Sequence, residues 1–412
     1  MASTTMTAFD LEKAATFRNG HPFATYEALR ADDPVRRHDG RDGRPPYWTL
    51  TRHADVEAVS RDNVRFTSTQ GFRVFEEGGI ALLTPKIREA VTSTMMTMDP
   101  PRHGEVRRPL QPSFLPSALR RLEASVNGFV ADLVSNLPDG GEIEFVSEVA
   151  AIVPIRTLCL MLGIPDEDIG KVFDWTNRLV GTSDPDYASS RESSLAAFEE
   201  VFDYGLALFE ARQADPQEDL LTIVATMMSD GAPLRDAVKR GLFTLLLAAG
   251  NETTRNSLSG AIVALSRFPD QKRKLVEQPG LIAGAVPELL RYVTPVIQMM
   301  RTALVDVEIG GVAIPAGDRV AMLYGAANSD PAMFADPRRL DVERTNASRH
   351  LSFGIGIHHC LGARVATMQL EALLTALLAR FPDIAIAGEP DYLQSNFVCG
   401  IKHLPVSLGR AR

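Results

Sequence analysis

The chain has 412 residues, with 43 basic and 52 acidic side chains and a formal net charge of −9. That balance argues against non-specific nucleic-acid binding, because a polyanion would be repelled, while 45% hydrophobic residues suffice for a large core. No run approaches the roughly 18 apolar residues of a membrane span, the N-terminal stretch carries charges where a secretory signal needs an apolar centre, and three scattered cysteines make no disulfide framework, so a cytoplasmic monomer without a membrane anchor is expected.

The first fifteen or so residues are expected to be mobile. "YWTLTRHADVEAVSRD" (47–62) then reads as a strand followed by a helix. "MDPPRHGEVRRPL" (98–110) is turn-rich at Asp99-Pro100-Pro101 and enters a helix. "DLVSNL" and "LAAFEEVFDYGLALFEARQ" (195–213) repeat apolar residues at three- and four-residue spacing, as helices do. A helix of ~50 Å is predicted from Leu234 to Phe268. Its middle is apolar nearly all round, so it should cross the core. "ALVDVEIGGVAIPAGDRVAML" (303–323) predicts short strands about a Gly310-Gly311 turn. "LEALLTALLARF" (370–381) is helical again, and "DIAIAG" and "KHLPVSL" predict terminal strands. With no linker, low-complexity block or repeat, residues 1–412 read as one large domain, mainly α with small β-sheets.

Chemistry concentrates in "HLSFGIGIHHCLGARVA" (350–366). His358, His359 and Cys360 could ligate zinc, but a zinc site needs about four ligands, usually arriving in pairs, and no second Cys/His pair lies nearby. Cys360 could also be a plain buried thiol. A third reading makes Cys360 the single ligand of a haem iron. The glycines at 354, 356 and 362 let backbone amides come close to a sulfur. A following helix N-terminus would lower the thiol pKa, and thiolate ligation favours O–O cleavage.

Two further stretches raise similar alternatives. In "LLLAAGNETTRN" (245–256), Leu246, Ala249, Gly250 and Thr253 share one helix face, where two small residues leave room for a bulky neighbour. Thr253 could equally do no more than bond the carbonyl of Ala249. In "PELLRYVTP" (287–295), Glu288 and Arg291 lie three apart, a spacing also common in surface pairs. Pro287 should start or kink that helix. His103 and Arg107 share a face, either a solvated basic one or one suited to carboxylates.

"FGIGIHHCLG" matches the Phe-Gly-x-Gly-x-His-x-Cys-x-Gly signature of the cytochrome P450 family at every defined position, and the chain resembles the soluble bacterial members of that family. The resemblance implies haem b with Cys360 as axial ligand, Phe353 against the sulfur, and His358, His103, Arg107 and Arg301 on the haem propionates. It implies an acid–alcohol pair in "AGNET", where Glu252 relays protons and Thr253 orders water and assists O–O cleavage, beside Ala249 and Gly250. It also implies a structural network of Glu288, Arg291 and Arg344. One departure is Val365-Ala366-Thr367, where the family often has Leu-Ala-Arg, which bears on the partner-facing surface. The substrate-facing segments imply an apolar lining of Leu82, Leu246, Val296, Ile297, Met299, Phe397 and Val398, and Arg73 could anchor a carboxylate there.

The expected activity is insertion of one atom of O2 into a small apolar molecule, with electrons from NAD(P)H through a ferredoxin reductase and a ferredoxin. "AGNETTRN" with "SNFVCGIKHLPV" is similar to a bacterial subgroup acting on sterols, terpenoids and branched lipids. Oxidative coupling on the same fold, and a non-enzymatic haem-thiolate sensor, are the alternatives; a sensor would need no acid–alcohol pair.

Overall fold

The computed structural model describes residues 9–40, 45–74, 83–180, 184, 186 and 190–412. In its first half the helices are α1 (Phe23–Asp32), α2 (His53–Arg61), α3 (Pro85–Val91), α4 (Arg102–Leu110), α5 (Pro116–Ser135), α6 (Ile152–Leu162) and α7 (Ile169–Val180). There follow α8 (Arg191–Ala214), α9 (Leu220–Thr226), α10 (Asp236–Arg267), α11 (Pro269–Glu277), α12 (Ile282–Val293), α13 (Tyr324–Asn328) and α14 (Ala363–Arg380). Strands are short: β1 (Val35–His38), β2 (Tyr47–Leu50), β3 (Phe66–Thr67), β4 (Glu142–Glu144), β5 (Met228–Ser229), β6 (Ala232–Pro233) and β7 (Gln298–Ala303), then β8 (Val307–Ile309), β9 (Val312–Ile314), β10 (Arg319–Leu323), β11 (Ala385–Ile386), β12 (Asp391–Tyr392), β13 (Ile401–His403) and β14 (Pro405–Ser407). The expected mainly helical architecture with small sheets is what forms.

The 32-residue α10 is the axis of the molecule. From Thr254 to Leu265 every residue is buried, so this half has no solvent face. It packs against α12 and α14 in one apolar cluster, which α5 joins by packing on α14, while its N-terminal half packs against α6 and α8 in another. A one-sided amphipathic stripe could not satisfy neighbours on both flanks, so the helix is buried on both, with polar side chains such as Asn251, Asn256 and Ser259 buried among the apolar ones.

The main sheet has the order β1-β2-β10-β7-β3, antiparallel except where β2 runs parallel to β10. The β8–β9 hairpin turns through Gly310 and Gly311 at φ 58° and 83°, the pair of positive angles that a two-residue hairpin requires. Pro287 lies inside α12, five residues after its first residue Ile282. It therefore does not start the helix; the turn before it is held by burial of Ile282, Ala285 and Val286. From residue 9 onwards the N-terminal stretch is packed, with Phe9, Leu11 and Phe17 buried beside Tyr26 and Leu29. No helix among the described residues is long and apolar enough to cross a membrane.

Candidate functional site

The loop before α14 is shaped by its glycines. Gly354 and Gly356 have φ of 63° and 78°. At Gly356 a Cβ would lie 2.6 Å from the Ser60 carbonyl oxygen, so only glycine lets the loop press against the end of α2. The turn closes with the Gly354 N–H donating to the Leu351 carbonyl at 2.8 Å and the Cys360 N–H to the Phe353 carbonyl at 2.8 Å. Phe353, half-buried, lines the same cavity as Cys360, and the Cys360 thiol is accessible from it. Burial raises the thiol pKa, against which the Gly362 N–H and Arg107 pull it down. The expected lowering by the helix terminus is therefore outweighed: α14 begins only at Ala363, and desolvation of the anion dominates. A coordinated metal ion would deprotonate the thiol outright.

Beside the loop, four cationic or potentially cationic side chains meet from distant segments. His103 on α4 and His358 stack edge to face at 4.5 Å. His358 Nε2 is 3.1 Å from Ser68 Oγ. Arg107 Nη2 donates to the His359 carbonyl at 2.6 Å, and Arg301 Nη1 on β7 donates to the Met300 carbonyl at 2.7 Å. Among the described residues, neither guanidinium has a carboxylate within 4.0 Å. His103 Nε2 is buried with no hydrogen-bond partner among the described residues. Burial first, then its cationic neighbours Arg301, His103 and Arg107, push the His358 pKa down to about 2. A buried charge without counter-charge, as Arg301 is here among the described residues, is costly, so with Arg107 beside it this corner is built for an anion of at least one carboxylate, and Arg forks suit that group. These residues fit a thiolate-ligated haem with its propionates.

The face predicted on α10 is present. Leu246, Ala249, Gly250 and Thr253 all line the cavity into which Cys360 opens. Its volume is about 680 Å³. At Gly250 a Cβ would lie 3.3 Å from Leu158 of α6, which lines the same cavity, so this glycine lets α6 come close beside the site. Thr253 Oγ1 donates to the Ala249 carbonyl at 2.9 Å. Glu252, buried, also reaches the cavity wall and is ion-paired with Arg255 at 2.6 Å. Burial raises its pKa, and Arg255 opposes the rise.

Val296, Met299, Phe397 and Val398 line the cavity as expected, with Val296 and Val398 facing across an antiparallel bridge. Ile297 does not. It is fully buried on the other side with Phe9, Leu11 and Phe17, because successive side chains of an extended segment point to opposite faces. Leu82 lies outside the described residues. Arg73 lines the cavity with its guanidinium 4.7 Å from the Phe397 ring centre. Lining residues that the sequence did not single out come from α6, α7 and α8, among them Leu158, Met161, Leu179, Phe198 and Phe202; in sequence they are indistinguishable from ordinary core positions.

Glu288 and Arg291 are no surface pair. Both are buried; Arg291 Nε and Nη2 contact the carboxylate at 2.6 and 2.8 Å, and Arg344 Nε reaches it at 3.0 Å. The Asp341 N–H adds a bond at 3.1 Å. The triad fastens α12 to the 335–344 segment, and Arg291 also donates to the carbonyls of Asn328 and Pro337. For zinc, the described residues offer one possible cluster, Asp186, Asp391 and His403, exposed and away from Cys360.

Residues 280–393 match the family model for cytochrome P450. Over 404 residues the chain is 36% identical to a linalool 8-monooxygenase of Pseudomonas putida, covering 97% of this chain and 98% of that one. It is likewise 36% identical to a methyl-branched lipid omega-hydroxylase of Mycobacterium tuberculosis, over 88% of this chain and 84% of the other. Among solved structures, a Mycobacterium marinum cytochrome P450 in complex with pseudoionone superposes with a TM-score of 0.89 at 36% identity, covering 97% of this chain and 98% of that one.

Proposed function

The chain belongs to the cytochrome P450 family, and from that premise we propose that this monooxygenase hydroxylates a small apolar molecule of the terpenoid, steroid or branched-lipid class. The observation that carries the reading is the shared cavity: the Cys360 sulfur and the Ala249–Thr253 face of α10 open onto one space whose other walls are largely apolar. Haem, the family's cofactor, supplies activation of O2 when bound. Cys360 would hold its iron, and His103, Arg107, Arg301 and His358 would hold its propionates.

The remaining side chains bind, orient and handle protons. Phe397, Val398, Val296, Met299 and Leu246 exclude water and hold an apolar substrate by contact area alone. Thr253 holds a hydroxyl at the cavity wall, where it exchanges its bond to Ala249 for one to water or substrate oxygen. Glu252 is the acid within reach of the same wall and serves as proton carrier. Electrons are proposed to come from NAD(P)H through a ferredoxin reductase and a ferredoxin, as the family resemblance supports. The relatives act, by name, on linalool, on methyl-branched lipids and on steroids, which supports that range of substrates.

The test is a spectral titration of the purified haem protein with linalool, a methyl-branched fatty acid and a sterol, followed by turnover with surrogate ferredoxin and reductase. Reduced protein with carbon monoxide should show the red-shifted Soret band of thiolate ligation, lost in Cys360→Ala. Retention of that band in Cys360→Ala would overturn the ligand assignment; a wild type that oxidises none of the three classes would overturn the substrate reading.

A further inference from the structure

One cation stands on the wall that a substrate would touch. Arg73, half-buried, lines the cavity with its guanidinium carbon 4.7 Å from the centre of the Phe397 ring. Phe72 packs edge-on against the same ring at 5.8 Å.

The two chain segments that carry this group are fixed to each other by a buried polar clamp. The Phe72 carbonyl accepts from the Met300 N–H at 2.6 Å, and the Phe397 carbonyl accepts from the Ile297 N–H at 2.8 Å. Gln298, fully buried on β7, joins the neighbouring residues of both segments. Its Oε1 accepts from the Val74 N–H at 2.9 Å, and its Nε2 donates to the carbonyls of Val74 at 2.9 Å and Asn396 at 3.2 Å. Asn396 Nδ2 closes the ring by donating to the Val74 carbonyl at 3.2 Å. Arg73 and Phe397 are each one residue from this clamp, so their relative placement is set by backbone bonds and not by what fills the cavity.

The contact with the ring face holds the charge without using an N–H donor, and a guanidinium presents those donors as a planar fork matched to a carboxylate. The other arginines of the wall are placed differently. Arg107 and Arg301 belong to the propionate corner, and Arg191 is exposed at the start of α8. The one acidic side chain among the described wall residues, Glu252, is ion-paired with Arg255 and so does not repel an anion.

We propose that Arg73 is a specificity-determining residue and that the molecule oxidised is an amphipathic acid: a branched or terpenoid hydrocarbon body ending in a single carboxylate, which takes the Arg73 fork while the body fills the apolar walls. A terpenoid or steroid without that group would bind by contact area alone, and more weakly. A diphosphate ester carries more charge than one arginine offsets. The proposal rests on the monooxygenase reading above and narrows its substrate class.

The experiment uses the haem-loaded enzyme and three ligands of one methyl-branched skeleton: the fatty acid, its methyl ester and its alcohol. Optical titration gives a Kd for each at low and at high salt, and turnover with surrogate ferredoxin and reductase follows. Wild type should bind the acid about tenfold or more tightly than the ester or the alcohol, and the preference should shrink as salt rises. Arg73→Gln should lose both the preference and its salt dependence while the Kd of the ester stays unchanged. Arg73→Lys, which keeps the charge and loses the fork, should retain part of the preference; if Arg73→Gln does not hold haem, this variant and the wild-type salt series decide. An arginine that only supports the Phe397 ring would, when replaced, weaken acid and ester equally, and that result would overturn the proposal. So would a wild type that shows no preference for the acid. An acid that binds through Arg73 and is not oxidised would instead sink the monooxygenase reading and leave the carboxylate site standing.

Discussion

Removing the carboxylate of Glu288 should cost far more than its i,i+3 spacing suggests. Glu288→Ala deletes the contacts at 2.6 and 2.8 Å to Arg291, at 3.0 Å to Arg344 and at 3.1 Å to the Asp341 N–H. Arg291 and Arg344 are then left close together in a buried site without the anion between them. Breaking a buried ion pair by removing one partner costs about 3–5 kcal/mol, against a total stability on the order of 5–15 kcal/mol for a domain. With a urea slope of about 3 kcal/mol/M for a large chain, the midpoint should fall by about 1 M or more. The assay is urea unfolding followed by circular dichroism, with haem content measured in parallel. Glu199→Ala is the comparison, because its contact with Lys86 joins two side chains that are each 40% exposed and such pairs are worth about 0–1 kcal/mol. Glu288→Gln, which keeps an acceptor and loses the charge, should lie between. Equal midpoints for Glu288→Ala and Glu199→Ala would refute the reasoning.

Four further outcomes are expected. Gly356→Ala should destabilise by about 1–3 kcal/mol and lower haem occupancy, since the residue sits at φ 78° and its Cβ would meet the Ser60 carbonyl at 2.6 Å; an unchanged melting temperature would contradict this. Ile297→Ala should cost about 2–5 kcal/mol of stability with little effect on substrate-induced spectral shifts, whereas Val296→Ala should alter those shifts; the reverse pattern would exchange the two faces. Arg301→Gln should speed haem loss to a scavenger protein about tenfold or more, as a charge-assisted bond of about 1.5–3 kcal/mol is lost, and an unchanged rate would remove Arg301 from the anion site. His21, half-buried with its ring Nε2 2.7 Å from the Thr294 carbonyl, has its pKa depressed from 6.5 to about 4, chiefly by desolvation; the unfolded chain binds the extra proton first, so stability should decline as pH falls from about 6.5 towards 4. His21→Asn should flatten that decline in acid-unfolding curves.

The parts of this protein legible in the sequence are those that local backbone chemistry decides. The Gly310-Gly311 hairpin, the glycines of the Cys360 loop and the apolar run of α10 each follow from φ limits or from a periodicity spanning a few residues, and each stands where it was expected. The Leu246–Thr253 face is legible for the same reason, since a helix fixes which residues share a side. What tertiary structure alone decided is which side meets which neighbour. Gly250 was readable as small but not as small for Leu158, and Val296 and Ile297 are equally apolar, yet only their place between Phe397 and the Phe9 cluster sends one to the cavity and the other to the core. The charges show it most sharply. Glu288–Arg291 has the spacing of a weak surface pair and becomes a buried triad only when the segment carrying Arg344 folds over it. Arg255 gains a partner on α7 some eighty residues upstream. Such energies are set by burial and by partners far apart in the chain, and a local sequence pattern encodes neither.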